Sequence, residues 1–292
     1  GGSIGSTCTT VGGVCSTTLT GQNFRPTNGR VAILAYAIGE ESFTDKNGNG
    51  WFDISPVTEL VNLDGNPTDL PEAWLDVNEN RVRDANEPFV DFNNNAAYDS
   101  GDGKFNGVSC NENIVGGSAA GSCGIAKSIH VRDQEVVVFS GSTPTITGAN
   151  ASGFNVGRID FTPKCDPTFV STTPYVIGQS KSAIFTVRDV NGNALPAGTT
   201  VSFTTTNGTI PASATSTYTV PSTNERVTIG DADGYGNFAI TVQSDITQTA
   251  TLNPVSGNTT YTCANTVASG NLIATVKTPS GKTTTFLLQV TD

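Results

Sequence analysis

Apolar and polar residues alternate with a period of two along most of this 292-residue chain, and no long stretch carries the 3.6-residue repeat of a helix. The alternation predicts strands at Val31–Ile38, Ile129–Val131, Glu135–Ser140, Arg158–Thr162, Ala183–Asp189, Val201–Thr205, Asn237–Val242, Asn271–Val276 and Thr284–Val290. Turn formers separate them: Asn191-Gly-Asn, Asn207-Gly, Asp231-Ala-Asp-Gly and Pro279-Ser-Gly. Short strands between such turns imply an all-β fold built on β-sandwiches. Residues 41–127 break the pattern, being acidic and Asn-rich and then Gly- and Ser-rich, so they read as an insertion between two strands.

Within that insertion one phrase occurs three times. It runs Glu41, Phe43, Asp45, Asn47, Asn49, Asp53; then Glu72, Trp74, Asp76, Asn78, Asn80, Asp84; then Glu87, Phe89, Asp91, Asn93, Asn95, Asp99. Asp-x-Asn-x-Asn turns alternate side-chain oxygens toward one point. A hard cation such as Ca²⁺ takes six to eight oxygens, and loops of this kind supply them from positions 1, 3, 5, 7, 9 and 12. In the second loop Asp76, Asn78, Asn80, the Val82 carbonyl, Asp84 and Glu87 complete the set, although Arg81 stands where position 6 usually has Gly. In the third, Asp91, Asn93, Asn95, Asp99 and Asp102 fall at 1, 3, 5, 9 and 12. In the first, Pro56 occupies position 12, so the closing carboxylate must come from Glu59, Asp64, Asp69 or Glu72. Glu87 both ends loop two and opens the third phrase, which predicts coupled neighbours. The recurring aromatics are expected to pack between the loops. The implied cofactor is Ca²⁺, roughly two to four ions.

Charge concentrates in the same place. Residues 40–102 hold 15 of the 26 acids and three of the 15 bases, leaving 11 acids and 12 bases elsewhere. Two carboxylates converging to about 4 Å repel by roughly 1 to 4 kcal/mol at effective dielectrics between water and a protein surface. Such a segment needs counter-ions to stay compact. Mg²⁺ suits it less, preferring few carboxylates and several waters. A zinc site is disfavoured by the lone His and by the lack of Cys in the cluster.

Six cysteines allow 15 pairings. Spacing favours Cys8 with Cys15 around a Gly-Gly turn, Cys110 with Cys123 around a Gly/Ser loop, and Cys165 with Cys263. The rival reading is six buried thiols. Disulfides beside a calcium cluster point to an oxidising, extracellular setting. No apolar run reaches the ~20 residues of a membrane-spanning helix, and the chain, with no Met and no signal peptide, reads as a processed or excised piece.

Three stretches carry a resemblance. Ala183–Phe203, with Val187-Arg-Asp-Val-Asn-Gly-Asn-Ala-Leu-Pro-Ala-Gly, resembles the strand–turn–strand of bacterial immunoglobulin-like repeats of the invasin/intimin type, and Gly230–Ile240 resembles a later hairpin of that repeat. Together they cover residues 166–292. Leu34 to Gly107 resembles an acidic insert of large secreted Ig-like proteins. The resemblance implies tandem Ig-like sandwiches: 1–140, incomplete at its N-terminus and carrying the calcium-binding insert, and 141–292. It also implies a surface adhesin stalk or fibre rather than an enzyme. Residues 1–38 read as the last hairpin and strand of a domain whose earlier strands either belong to a longer chain from which this one is cut or come from a second copy by β-strand addition. The alternative is a calcium-dependent module recognising a glycan or a host protein.

Other signals are small. His130 lies in an alternating strand with no catalytic neighbours, and Asp231 and Asp233 read as a hairpin turn in preference to another cation site. Asn150, Asn207 and Asn258 head glycosylation-type triplets that the bacterial character leaves without a role. The carboxylates are spaced as cation ligands rather than as a glycosidase pair. Nucleophile elbow, phosphate loop and basic nucleic-acid patch are all missing.

Overall fold

The computed structural model describes residues 1–54, 58–149, 157–161, 165–168, 170–171, 180–264 and 269–291. Among them no helix occurs, and the fold is all-β. The strands are β1 (Gly2–Ile4), β2 (Leu19–Gly21), β3 (Arg30–Gly39), β4 (Ala73–Trp74), β5 (Phe89–Val90), β6 (Ile129–Val138), β7 (Thr145–Ala149), β8 (Arg158–Asp160) and β9 (Val170–Ser171). The remainder are β10 (Ser180–Arg188), β11 (Thr200–Thr205), β12 (Thr217–Thr219), β13 (Asn237–Gln243), β14 (Thr247–Leu252), β15 (Thr259–Ala264), β16 (Ser269–Lys277) and β17 (Thr283–Thr291). Every segment with apolar alternation contains a strand. The two expected pieces at 129–131 and 135–140 are one strand, β6, and Thr162 lies outside the described residues.

The chain divides into two compact units, Gly1–Arg30 with Val138–Asp292, and Val31–Val137. The division after Val137 falls three residues before the expected boundary at 140/141, while Gly1–Arg30 group with the C-terminal residues. The N-terminal segment joins the first unit through specific bonds: Phe139 N donates to Gly29 O (2.7 Å), Asn193 Nδ2 to Asn28 O (2.8 Å), and Arg30 Nη1 to Asn193 Oδ1 (3.1 Å). Asn193 is buried, so satisfying its amide with this segment removes a desolvation cost of about 1–3 kcal/mol.

In the first unit a sheet ordered β13-β10-β7 faces a sheet ordered β12-β11-β16-β17-β8. All pairs are antiparallel except β17 with β8. The period-two pattern explains the core: Phe238, Ile240 and Val242 of β13, Val201 and Phe203 of β11, Leu272, Ala274 and Val276 of β16, and Leu288 and Val290 of β17 all point inward. Phe185 of β10 sits at the centre, 5.0 Å from the Phe203 ring and 5.9 Å from that of Phe286. A third sheet, β14-β15-β9, is tied to the chain by Cys165–Cys263. The β1-β2 ribbon leads to the Cys8–Cys15 disulfide. There Val11 and Val14 pair across Gly12 and Gly13, whose φ values of 62° and 81° give the two left-handed positions a tight hairpin turn needs.

The second unit is built differently. Among the described residues its sheets are two ribbons, β3-β6 and β4-β5, and its apolar cluster is small: Phe52, Leu60, Phe105 and Cys110, with Phe43 and Cys123 packed on it. Cys110–Cys123 closes the third disulfide, so all three pairs are those that spacing favoured.

Replacing Phe185 by Ala is expected to cost about 3–5 kcal/mol of unfolding free energy through loss of contact and the cavity left behind. Denaturant unfolding of the variant checks this, and a loss under 1 kcal/mol would contradict the packing described.

Candidate metal centre

Three loops of the second unit share one geometry. The Asp at position 1 accepts two backbone N–H groups of its own turn: Asp45 from Gly48 (2.6 Å) and Gly50 (2.8 Å), Asp76 from Asn80 (3.1 Å) and Arg81 (2.7 Å), Asp91 from Asn95 (3.2 Å) and Ala96 (2.7 Å). These N–H donors hold the exposed Asp45 carboxyl below its ordinary pKa, the bond from Gly50 contributing most. Both Asn amides then donate Nδ2 to the Asp at position 9. Asn47 and Asn49 reach Asp53 Oδ2 at 2.8 and 2.9 Å, Asn78 and Asn80 reach Asp84 Oδ2 at 2.7 and 3.0 Å, and Asn93 and Asn95 reach Asp99 Oδ2 at 2.6 and 2.8 Å. Position 6 is left-handed in all three, with φ of 80° at Gly50, 62° at Arg81 and 63° at Ala96. Arg81 thus makes the sharp turn that its side chain disfavours.

A buried Glu closes each loop by bridging two backbone N–H groups. In loop two Glu87 accepts from Val77 (2.8 Å) and Asp84 (3.0 Å). In loop one the role falls to Glu59, which accepts from Lys46 (2.6 Å) and Asp53 (3.0 Å) and selects it from the four candidates that spacing left open. In loop three the closing residue is Glu72, accepting from Phe92 (2.7 Å) and Asp99 (3.2 Å). Spacing placed Asp102 in that role, and the structure corrects it. Asp102 falls three residues beyond Asp99, whereas Glu72 arrives across the β4-β5 ribbon, where Ala73 pairs with Val90 and Trp74 with Phe89. Loops two and three therefore exchange their Glu residues: Glu72 opens phrase two and closes loop three, while Glu87 opens phrase three and closes loop two. Arg83, at position 8 of loop two, lies 4.8 Å from the ring of Tyr98, its counterpart in loop three.

Of the recurring aromatics, Phe43 meets Phe105 edge-on at 4.9 Å and Phe52 at 5.9 Å, and Phe89 meets Tyr98 at 5.7 Å. Gln134 of β6 anchors the array, accepting from Asp76 N (2.8 Å) and donating to Asp76 O (3.1 Å). His130 of β6 lies edge-on between Tyr36 and Phe92. Asp233 accepts backbone bonds from Tyr235, Gly236 and Asn237, as a turn residue does.

Glu41, Glu59, Glu72, Asp76 and Glu87 are each no more than 6% exposed. Burial raises the pKa of Glu41 above its ordinary value, with N–H bonds from Leu70 and Asn106 opposing and the charges of Asp69 and Asp102 adding to the rise. Among the described residues no three Asp, Glu, His or Cys side chains converge as a self-sufficient metal-holding group. Beside the carboxylates, each loop carries two Asn Oδ1 atoms as oxygen donors, each accepting a backbone N–H two residues on. All of these donors are oxygen, the chemistry a hard divalent cation takes.

No protein-family model, curated protein or solved structure matches the chain.

Truncating Glu72 to Ala is expected to speed amide exchange at Phe92 and Asp99, by an order of magnitude or more if each broken bond is worth about 1.4 kcal/mol, while Val77 and Asp84 stay protected. Residue-resolved NMR exchange reads this. Faster exchange at Val77 and Asp84 alone would return Glu72 to loop two.

Proposed function

We propose that this chain is an extracellular, calcium-stabilised structural protein, a building block of a bacterial surface adhesin stalk or self-assembling fibre. The observation that carries the calcium reading is the burial of five carboxylates in a unit whose apolar cluster holds little more than three Phe rings and one Leu. A buried ionised carboxylate is costly unless it is hydrogen-bonded and its charge balanced. Backbone N–H groups supply the first condition, and a divalent cation supplies the second. The Asn amides and Asp carboxylates already face one another across each loop. Each Asn Oδ1 accepts a backbone N–H two residues on, and its second lone pair is available to an ion flanked by Asp at positions 1 and 9 and Glu at position 12.

An occupied site adds RT ln(1 + [Ca²⁺]/Kd), about 2.7 kcal/mol when calcium is a hundredfold above Kd. Extracellular modules bind with Kd of roughly 10⁻⁴ to 10⁻³ M, so the loops fill outside a cell and empty inside one. Three disulfides agree with that compartment. Among the described residues no helix is long and apolar enough to cross a membrane. The two facing sheets of the first unit support an Ig-like sandwich. The edge strand β14, exposed along most of its length, offers unpaired backbone groups to a second copy.

A second reading rests on a cleft of about 510 Å³ beside loop three, lined by residues that include Leu70, Phe92, Asn93, Lys104 and Ile125. Such a cleft suits a glycan ligand of a calcium-dependent binding module.

Calorimetry with millimolar calcium and with excess EGTA tests the first reading. Calcium should raise the melting temperature of the Val31–Val137 unit by several degrees, reversibly, with protection from proteases there. Electron microscopy of the calcium-loaded protein should show rods or filaments. Equal melting in both buffers would remove the calcium role, and discrete monomers with glycan affinity would favour the second reading.

A further inference from the structure

We propose that Asp69, Ser100, Asp102, the Lys104 carbonyl, Asn106 and Glu41 form a fourth divalent-cation site, assembled from three separate stretches of chain. It rests on the calcium reading of the three contiguous loops, and each of its parts has a counterpart in them. The backbone N–H of the closing Glu donates to the carbonyl at position 9 every time: Glu59 to Asp53, Glu87 to Asp84 and Glu72 to Asp99, all at 3.0 Å, and Glu41 to Asn106 at 3.1 Å. Glu41 then accepts from Leu70 N and Asn106 N, both at 2.7 Å, as Glu87 does from Val77 and Asp84. Gly103 N donates to Asp69 Oδ2 (2.8 Å) as Arg81 N does to Asp76 Oδ2 (2.7 Å). Lys104 N donates to Asp102 Oδ1 (2.9 Å) as Val82 N does to Asn80 Oδ1 (2.7 Å). These correspondences number Asp69 as position 1, Ser100 as 3, Asp102 as 5, Gly103 as 6, Lys104 as 7, Asn106 as 9 and Glu41 as 12. The position-8 rings, Phe52 of loop one and Phe105 here, stack at 5.3 Å.

Shared geometry shows a common scaffold, and one oxygen shows the need for a ligand. In loops one to three, Oδ1 of the first Asp accepts a backbone N–H. Asp69 Oδ1 is buried and has no hydrogen-bond partner. It is held there by close packing, since a Cβ on Gly101 would come within 2.5 Å of the Asp69 carboxyl carbon. A buried, unpaired carboxylate oxygen facing the turn that carries Asp102, beside the buried carboxylate of Glu41, calls for a cation. Sequence separation hid the site: position 1 and positions 3 to 9 are about thirty residues apart, and position 12 precedes both. Loops one and four form a second pair beside loops two and three, with Glu41 opening phrase one while closing loop four. Filling the site links the segment that follows β3 to residues 100–106 and so closes the whole array.

Native mass spectrometry during a calcium titration tests this, with the full oxidised chain and calcium alone as probe. The intact protein is expected to saturate at four ions, Asp69→Asn at three, and Asp99→Asn, an internal control in loop three, at three. Saturation of the unaltered chain at three ions, or an unchanged count in Asp69→Asn, overturns the fourth site while leaving the calcium reading intact. No ion bound by any variant overturns both. If Asp69→Asn does not fold, Asp102→Asn takes its place with the same expected loss of one ion.

Discussion

The second unit is organised by buried glutamates that each bridge two backbone N–H groups. Glu59, Glu72 and Glu87 join the residue after a loop's first Asp to the Asp at position 9, and so fix both ends of each turn. A conventional core removes hydrocarbon from water, at about 25 cal/mol per Å². Here much of the interior is carboxylate, and its repulsion has to be neutralised. That single constraint links the acidic composition, the proposed ion and the proposed extracellular role.

Exchange of glutamates between neighbours makes the array cooperative. In loops two and three the Glu that opens one phrase closes the other loop, so neither is complete without its partner's flanking segment. The β4-β5 ribbon, only two residues per strand, is the hinge of that exchange: it sets the register that carries Glu72 to loop three. The first unit depends on nothing of the kind. Its alternating Phe, Val, Ile and Leu positions bury a continuous core between two sheets, and its stability is set by packing.

Much of this was legible from residue order. The period-two runs gave the long strands, because each has one face in the core. The Thr-rich β14 and β12 were not legible, because they are largely exposed and carry no apolar alternation. The two-residue β4 and β5 are too short for any period. The triplicated phrase showed its Asp and Asn positions plainly, since those lie within one turn. Its closing residues were harder: Glu87 sits at the expected spacing, whereas Glu59 lies beyond a longer connection, and Glu72 and Glu41 lie upstream of the loops they close. The recurrent Glu four residues before each Asp was the available sign, and its meaning required the fold. Likewise, Asn28 and Gly29 gave no hint that the N-terminal segment bonds to Asn193 and Phe139.

Hydrogen-exchange mass spectrometry of the whole chain, in millimolar calcium and again in excess chelator, addresses the central claim most directly. The account predicts that peptides between Glu41 and Asn106 lose their protection when the ion is withdrawn, while β10, β11, β13, β16 and β17 exchange at unchanged rates. Equal protection of the acidic segment in both buffers would show that its carboxylates stay buried without a cation, and would contradict the account.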